Sequence, residues 1–428
     1  MAEFHAEVFQ NEYLSEGATD VHAVVSITCS DAGVAGGGGV AGDAVSEVII
    51  VDTSGSMDMP SSKIAAARRA AKAALCEIVD GAWFAVVAGH SIAQMVYPSH
   101  PGLAMMSETT RAEAVDAVGR LRSGGSTAIG SWIAAATALF DQAPAGQRHA
   151  ILLTDGKIEG EEPGALGEAL AAARGRFQCD CRGIGSDWVV DELREIATAL
   201  LGTVDIVAEP DDLEADFEAM MKAAMSRGVA DVRLRMWAPE GSSIQFVRQV
   251  APQVDDLTTR AVQLSPLVVE LPTGAWSDES RDYHVAIRVP AAPVGNERLA
   301  ARVEVVVNDR VMSKALVKAI WSIDTALTTR IDPAVAHYTG QAQLADVIQR
   351  GLAAKAAGDD RTATVLLGEA AKIAHESGND DTTRLLAKVV DVVDVEAGTV
   401  RLKQQIERSD EMALDTRSTK TTRIKREP

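Results

Sequence analysis

Three side chains with oxygen donors follow an apolar run early in the chain. The segment VIIVDTSGSM, residues 48–57, places Asp52 at the end of the run and Ser54 and Ser56 directly after it. A short run of β-branched residues bounded by turn formers predicts a core strand of a parallel sheet. Open α/β sheets bind their ligands beyond the carboxyl ends of the strands. We therefore interpret this D-x-S-G-S element as one side of a candidate ligand site.

Two later segments offer donors of the same kind. GGSTAIG places Thr127 at the start of a predicted helix, and ILLTDGK places Asp155 at the end of another apolar strand. The carboxyl ends of neighbouring parallel strands share one rim, so we expect all five side chains to converge there. Two carboxylates and three hydroxyls, without histidine or cysteine, are ligands for a hard divalent cation. Mg²⁺ suits them best, with Mn²⁺ and Ca²⁺ as alternatives.

The segments around these residues alternate between strand and helix patterns. From about residue 45 to residue 228, apolar runs such as EVIIVD and RHAILLTDG are separated by amphipathic segments such as SSKIAAARRAAKAALCEIV. This alternation predicts right-handed βαβ units and an α/β fold with a doubly wound, mainly parallel, Rossmann-like sheet.

The rest of the chain has a different pattern of apolar and polar residues. Apolar and polar residues alternate from residue 229, which predicts an antiparallel β-sandwich, and helical periodicity follows from about residue 326. The strand predicted at 20–30 is a candidate member of the sandwich. The predicted organisation is an N-terminal strand region with a glycine-rich linker (1–44), the α/β domain (45–228), the β-sandwich (229–325), a helical segment (326–413) and a disordered basic tail (414–428).

The three oxygen-bearing elements together resemble the von Willebrand factor type A domain. D-x-S-x-S after an apolar strand, a glycine-preceded threonine about 70 residues later and T-D-G about 30 residues further stand in the order of that family, within residues 45–226. The flanking segments resemble bacterial multidomain members. The family resemblance implies a metal-ion-dependent adhesion site at Asp52, Ser54, Ser56, Thr127 and Asp155. It also implies a non-enzymatic module that captures a carboxylate of a protein partner on the cation.

Other interpretations of the same residues stay open at this point. Asp52 could act only as a strand-end turn former and helix cap, with Ser54 and Ser56 capping the next helix. Alternatively, the site could bind metal while another surface binds partners.

A hydrolase is the less favoured alternative. Ser54 and Ser56 do not stand in G-x-S-x-G, and the sequence has neither H-E-x-x-H nor a phosphate-binding G-x-x-x-x-G-K motif. His149 lies at the opposite end of the strand that leads to Asp155, so we expect it to be remote from the site. We predict that the protein is not an enzyme, with a metal-dependent hydrolase as the alternative.

Composition narrows the partners and the location. The chain has 61 acidic and 41 basic residues and a net charge of -20, which argues against a nucleic-acid-binding surface. We see no secretory signal and no apolar run long enough to cross a membrane. Cys76 is predicted to be a small core residue, and Cys179 and Cys181 to share one face of a strand. We therefore expect a reduced, cytoplasmic protein without membrane contact.

The C-terminal tail contains a candidate phosphorylation site. Thr421 is followed by Ile424, a spacing that resembles the phosphothreonine pattern of forkhead-associated domain ligands. An alternative function is thus a regulatory scaffold in Ser/Thr kinase and phosphatase signalling, recruited through its phosphorylated tail. The simpler interpretation is a solvated basic tail that contacts the acidic body of the protein.

Overall fold

The structure is a computed structural model that describes residues 2–34, 44–144, 146–421 and 423–424. Most of the predicted glycine-rich linker, residues 35–43, lies outside the described residues. The chain divides into two compact units. The first contains Met1–Ala2, Asp31–Asp231 and Gly274–Ser277, and the second contains Glu3–Ser30, Val232–Thr273 and Asp278–Pro428.

The strands and helices follow one another in a regular order. The strands are β1 Glu3–Gln10, β2 Tyr13–Leu14, β3 Asp20–Ser30, β4 Ala44–Asp52, β5 Trp83–Gly89, β6 Ala93–Tyr97, β7 Ala104–Met105, β8 Gly146–Thr154, β9 Gln178–Ile184, β10 Val204–Val207, β11 Val229–Trp237, β12 Ser243–Ala251, β13 Asp255–Asp256, β14 Val262–Ser265, β15 Val268–Trp276, β16 Glu279–Arg288, β17 Glu297–Val307, β18 Arg310–Trp321, β19 Val390–Asp394 and β20 Thr399–Leu402. The helices are α1 Ser62–Glu77, α2 Glu108–Gly119, α3 Ile129–Asp141, α4 Ala165–Ala173, α5 Val190–Ala199, α6 Leu213–Met225, α7 Thr325–Thr328, α8 Pro333–Ala356, α9 Asp360–Glu376, α10 Asp380–Val389 and α11 Arg408–Arg417.

The first unit is built around a mainly parallel sheet. Its strand order is β10-β9-β8-β4-β5-β6, with β7 also pairing with β5, and only the pairs that β5 makes with β6 and β7 are antiparallel. Strand β4 is almost wholly buried, as expected for a central parallel strand covered on both faces. The predicted α/β fold with a doubly wound, mainly parallel sheet is confirmed.

Small residues bring α1 close to the sheet. Ala66, Ala67, Ala70, Ala71 and Ala74 are buried, at the spacing of one helix face. The same hydrophobic core includes residues of β4, β5 and α6. This packing places the N-terminal turn of α1 next to the loop that follows β4.

The second unit contains mainly antiparallel sheets and C-terminal helices. One sheet has the order β1-β3-β16-β12-β13, and the other has the order β14-β15-β11-β17-β18-β2. The N-terminal strand β3 pairs with β16 from Asp20 opposite Arg288 to Cys29 opposite Glu279. The strand near the start of the chain is therefore part of an antiparallel sheet formed by residues more than two hundred positions later.

Two predictions about the C-terminal part are wrong. The segment predicted to be helical up to residue 413 contains the antiparallel hairpin of β19 and β20. Its run VVDVV is rich in β-branched residues, which favour strands, and Gly398 has a positive φ of 65° at the turn. The predicted disordered tail is also wrong for the described residues from 414 onward, because α11 continues to Arg417 and buries Leu414.

The residues after α11 are held by specific contacts. The backbone of Thr421 donates to the Pro252 carbonyl at 2.9 Å. Arg423 lies 3.2 Å from the buried carboxylate of Asp282, and Ile424 packs against a core that includes Tyr338. A buried acid and a small apolar core thus order a segment whose own composition is typical of disorder.

The cysteines and helices give two further results. Cys29, Cys179 and Cys181 are buried, whereas Cys76 is exposed, so the prediction of a core role for Cys76 is wrong. Residue 76 lies on the solvent side of α1, opposite the alanine face. Within the described ranges, no helix combines the length and the apolar character that a membrane crossing requires.

Candidate metal site

Asp52 ends strand β4 and organises the loop that follows it. Its side chain is fully buried. One carboxylate oxygen accepts a hydrogen bond from the Ser54 backbone N–H at 2.7 Å, and the other accepts from the Thr154 hydroxyl at 2.5 Å. Burial raises the pKa of Asp52 to about 6, and these hydrogen bonds oppose that rise. Asp52 therefore fixes the start of the serine loop to the end of the neighbouring strand β8.

Ser54 and Ser56 bring their hydroxyl groups together. Residues Gly55–Asp58 form a 3₁₀ turn, and the two hydroxyl oxygens lie 2.9 Å apart. The Ser56 hydroxyl also donates to Asp155 Oδ1 at 2.6 Å. Ser54 precedes the 3₁₀ turn, but its side chain makes no capping bond there. Neither serine caps α1, since the residue preceding that helix is Ser61. The alternative interpretation as helix caps is therefore wrong.

Asp155 follows β8 and lies between a serine and a lysine. Its side chain is fully buried, and its Oδ2 atom accepts from the Lys63 ammonium at 2.7 Å. Lys63 also lies 3.4 Å from Asp187, whose side chain is 70% exposed. Burial lowers the pKa of Lys63, but the hydrogen bond and charge of Asp155, together with Asp187, raise it overall. The lysine is thus a charged neighbour of the oxygen cluster.

Thr127 reaches the cluster from the loop before α3. Its backbone forms a bridge with Glu159, with N···O distances of 3.1 and 2.9 Å. A Cβ atom placed on Gly156 would lie 3.1 Å from Thr127 Oγ1 and 3.3 Å from Ser56 Oγ. Both hydroxyls therefore border the same small space beside Asp155. The structure brings all five predicted residues to one rim of the sheet.

The chemistry of these donors fits a hard divalent cation. All five side chains offer oxygen, and among the described residues no group of three or more His, Cys, Asp or Glu side chains is arranged to hold a metal. Because the five residues are aspartates, serines and a threonine, they supply none of the nitrogen and sulfur ligands that zinc favours. Each carboxylate oxygen already accepts a protein hydrogen bond. The hydroxyls are thus suited to direct contact and the aspartates to contact through water, as Mg²⁺ allows.

Lys63 and Thr154 are functional neighbours that the sequence analysis missed. Thr154 is the residue before Asp155 and reads as part of an apolar strand. Lys63 offered a weak signal, because it lies in the first turn of α1, where the helix dipole disfavours a positive charge. A lysine at that position suggests a compensating acid nearby.

A cavity of about 740 Å³ lies beside the loop that carries the serines, and Thr53 of that loop is part of its lining. Its walls come from the β5–β6 turn, including His90 and Ile92, and from the segment before Thr127, including Arg122. Gly125 shares this wall and accepts a hydrogen bond from the Gly55 backbone of the serine loop at 3.0 Å. Ile92 is 62% exposed. A molecule bound at the oxygen cluster would therefore have a larger concave surface beside it.

His149 belongs to a separate buried cluster. It lies in β8, between Glu47 and Asp180, at 2.9 Å from a carboxylate oxygen of each. Burial lowers its pKa, but these carboxylates raise it to about 9 overall. Six residues along a strand correspond to about 20 Å, so His149 is remote from Asp155 as expected.

The candidate phosphorylation site is engaged within the second unit. The Thr421 hydroxyl donates to the Val250 carbonyl at 2.6 Å, and its side chain is only partly exposed. A kinase could therefore reach Thr421 only after this segment detached.

Comparisons with known proteins agree with these features. The family model of the von Willebrand factor type A domain matches residues 47–206, and that of the von Willebrand factor type A C-terminal domain matches residues 372–418. No curated protein matches the chain.

Solved structures extend the similarity to the whole chain. A von Willebrand factor type A protein from Catenulispora acidiphila is 47% identical, with a TM-score of 0.93, over 99% of this chain and 97% of that one. The ArnB paralog VWA2 from Sulfolobus acidocaldarius is 13% identical, with a TM-score of 0.59, over 98% of each chain. At that identity, the second match shows only a shared fold.

Proposed function

The chain belongs to the von Willebrand factor type A family, and we propose from this premise that it is a non-enzymatic protein-interaction module. In the proposal, Asp52, Ser54, Ser56, Thr127 and Asp155 hold Mg²⁺, with Mn²⁺ or Ca²⁺ as substitutes. A cation held there would offer a coordination position to a carboxylate oxygen of a protein partner. The observation that carries the proposal is the convergence of five hard oxygen donors from three distant segments at one rim of the sheet.

Each side chain has a distinct task in this proposal. Asp52 holds the serine loop in place through the Ser54 N–H. The hydroxyls of Ser54, Ser56 and Thr127 present lone pairs toward the shared space. Asp155 supplies negative charge that is fixed in position by Ser56 and Lys63. Residues next to the partner's carboxylate would meet the neighbouring cavity.

The absence of enzymatic activity is part of the proposal. It is supported by the donor set, in which every carboxylate oxygen of Asp52 and Asp155 already accepts a hydrogen bond. Neither acid is therefore placed as a free general base. A screen with generic phosphoester and ester substrates in Mg²⁺ should give no turnover above a double variant of Ser54 and Ser56. Turnover that the double variant loses would favour a metal-dependent hydrolase.

A cytoplasmic location and a scaffolding role are further proposals. The location is supported by the four cysteines, which are all free thiols. Recruitment of a forkhead-associated domain protein through phosphorylated Thr421 stays a prediction. The hydrogen bond from Thr421 to Val250 disfavours it, because the bound segment shields the hydroxyl.

The central test is metal-dependent partner capture by the full chain. Partners should be retained from native lysate in Mg²⁺ and lost in chelator, and they should also be lost with the Ser54→Ala, Ser56→Ala double variant. Ser61→Ala is the matched control, because Ser61 is exposed and its side chain makes no capping bond. Partners retained under all these conditions would contradict the proposal.

A further inference from the structure

Lys63 is a buried cation inside a site proposed to bind another cation. Its side chain is 8% exposed, and its ammonium lies 2.7 Å from Asp155 Oδ2. The lysine comes from α1, whereas Asp155 follows β8, so the fold brings them together from 92 positions apart. Burying an ammonium group has a free-energy cost, which its ion pair with Asp155 offsets.

The charges of the site depend on this lysine. Among the buried groups, Asp52 and Asp155 contribute two negative charges and Lys63 contributes one positive charge, so the cluster carries one net negative charge. The Asp187 carboxylate is exposed and screened by water, so it is not counted with the cluster. A bound divalent cation would turn this into one net positive charge, which a single partner carboxylate would neutralise. Without Lys63, the loaded cluster would already be neutral before any partner bound. Charges in a buried site act on one another more strongly than charges in water.

Asp187 offers Lys63 a second acceptor. Its carboxylate lies 3.4 Å from the ammonium, and its side chain is 70% exposed. The Lys63 ammonium can therefore stay paired with the Asp187 carboxylate when its interaction with Asp155 weakens. Its ammonium stays near the site in either case, because both acids are within reach of the same side chain.

We propose that Lys63 determines what the loaded site recognises, by weakening its hold on the divalent cation while strengthening its hold on an anionic partner. This inference rests on the proposed function and adds a specificity-determining residue to it. The partner it fits has a carboxylate as the group that enters the site. Neutral oxygen ligands, which add no charge, would gain less from Lys63.

Calorimetric titration of the full chain with Mg²⁺ alone tests whether Lys63 weakens cation binding. Lys63→Met keeps the length of the side chain and removes its charge, so it should bind Mg²⁺ on the order of tenfold more tightly than wild type. Lys72→Met is the matched control, because Lys72 lies on the same helix about 13 Å further along its axis. It should bind Mg²⁺ as wild type does, and Lys63→Arg should stay near wild type because it keeps the charge.

Acetate serves as the carboxylate probe that tests whether Lys63 strengthens the binding of an anion to the loaded site. At equal ionic strength, replacing chloride by acetate should tighten Mg²⁺ binding to wild type and to Lys72→Met. The gain should be smaller for Lys63→Met, because its loaded site carries no positive charge to neutralise. An equal acetate gain in Lys63→Met and wild type would overturn the proposal.

Asp187→Asn provides a test that does not depend on the folding of Lys63→Met. It changes an exposed side chain and leaves Lys63 with Asp155 as its acceptor. Mg²⁺ binding to Asp187→Asn should weaken a few-fold relative to wild type, because the Lys63 ammonium is then held at Asp155 alone. An Asp187→Asn protein that binds Mg²⁺ as tightly as wild type would overturn the role of Lys63.

Mg²⁺ binding distinguishes a failure of the proposed function from a failure of the inference about Lys63. If neither wild type nor the Ser54→Ala, Ser56→Ala double variant bound Mg²⁺, the proposed function itself would be wrong. If wild type bound Mg²⁺ through the serines but Lys63→Met bound it equally or more weakly, only the inference about Lys63 would be wrong.

Discussion

Replacing Gly156 by alanine would place a methyl group between two proposed ligands. The added Cβ would lie 3.1 Å from Thr127 Oγ1 and 3.3 Å from Ser56 Oγ, so these hydroxyls would have to move by a few tenths of an ångström. Mg²⁺ demands near-ideal octahedral geometry, which makes such shifts costly in the loaded site. Overpacking costs about 1–3 kcal/mol, which corresponds to Mg²⁺ binding weakened by about 5- to 150-fold.

The unloaded protein should tolerate the same change. The φ of Gly156 lies outside the left-handed region, and the crowded atoms are side-chain hydroxyls rather than backbone. We expect the free energy of unfolding in chelator to change by less than about 1 kcal/mol, because hydroxyl groups can rotate away from the methyl. The loss would therefore be specific to the metal-bound state.

Calorimetric titration with Mg²⁺, beside thermal unfolding in chelator, measures both effects. Gly167→Ala is the matched control, because a Cβ on this glycine of α4 meets no atom within 4 Å. The control should bind Mg²⁺ as wild type does. Wild-type Mg²⁺ affinity in Gly156→Ala would refute the assignment of the Ser56 and Thr127 hydroxyls as neighbouring ligands.

Three further predictions concern other parts of the chain. Carboxylate partners raise the pKa of buried His149 from 6.5 to about 9. The stabilisation of the fold by protonated His149 is therefore complete below about pH 6.5 and is lost as the pH rises through 9. In urea unfolding, His149→Gln should lower the free energy of unfolding by about 3–5 kcal/mol at pH 6, and this difference should shrink by pH 10. Arg423→Ala removes a partly exposed ion pair to buried Asp282 and should lower the free energy of unfolding by about 1–2 kcal/mol, with faster proteolysis of the C-terminal segment. Cys76 should be the one thiol of four that reacts with a disulfide reagent in the native protein, with all four reacting in denaturant.

The elements that carry a strong periodic pattern could be predicted from the sequence. The run that ends at Asp52 and the run that ends at Thr154 are both buried strands of the parallel sheet. Because side chains at the carboxyl ends of such strands share one rim, the convergence of Asp52 and Asp155 followed from the pattern. The oxygen donors could be recognised because carboxylates and hydroxyls stand directly at the ends of apolar runs.

The structure of the C-terminal part was harder to predict from the sequence, because its order comes from contacts between distant segments. The strand run VVDVV follows directly after α10, so helical periodicity masks the change to β19. The tail becomes ordered through Arg423, whose partner Asp282 is 141 positions away. The polar composition of the tail indicates that ordering it has a high entropic cost, but it does not reveal that a buried acid elsewhere in the chain offsets this cost.

The position of Lys63 at the candidate site could not be predicted from the local sequence either. Local patterns predict a lysine in an amphipathic helix to be a solvated surface residue, and most lysines are. The first turn of α1, however, meets the end of β8 only because the alanine face of the helix packs closely on the sheet. The charge of the site is therefore set by packing, whereas its oxygen donors are set by the ends of strands. In our proposal, the five donors of the sequence motif select the cation, and the lysine that the fold adds decides how strongly an anionic partner is drawn to it.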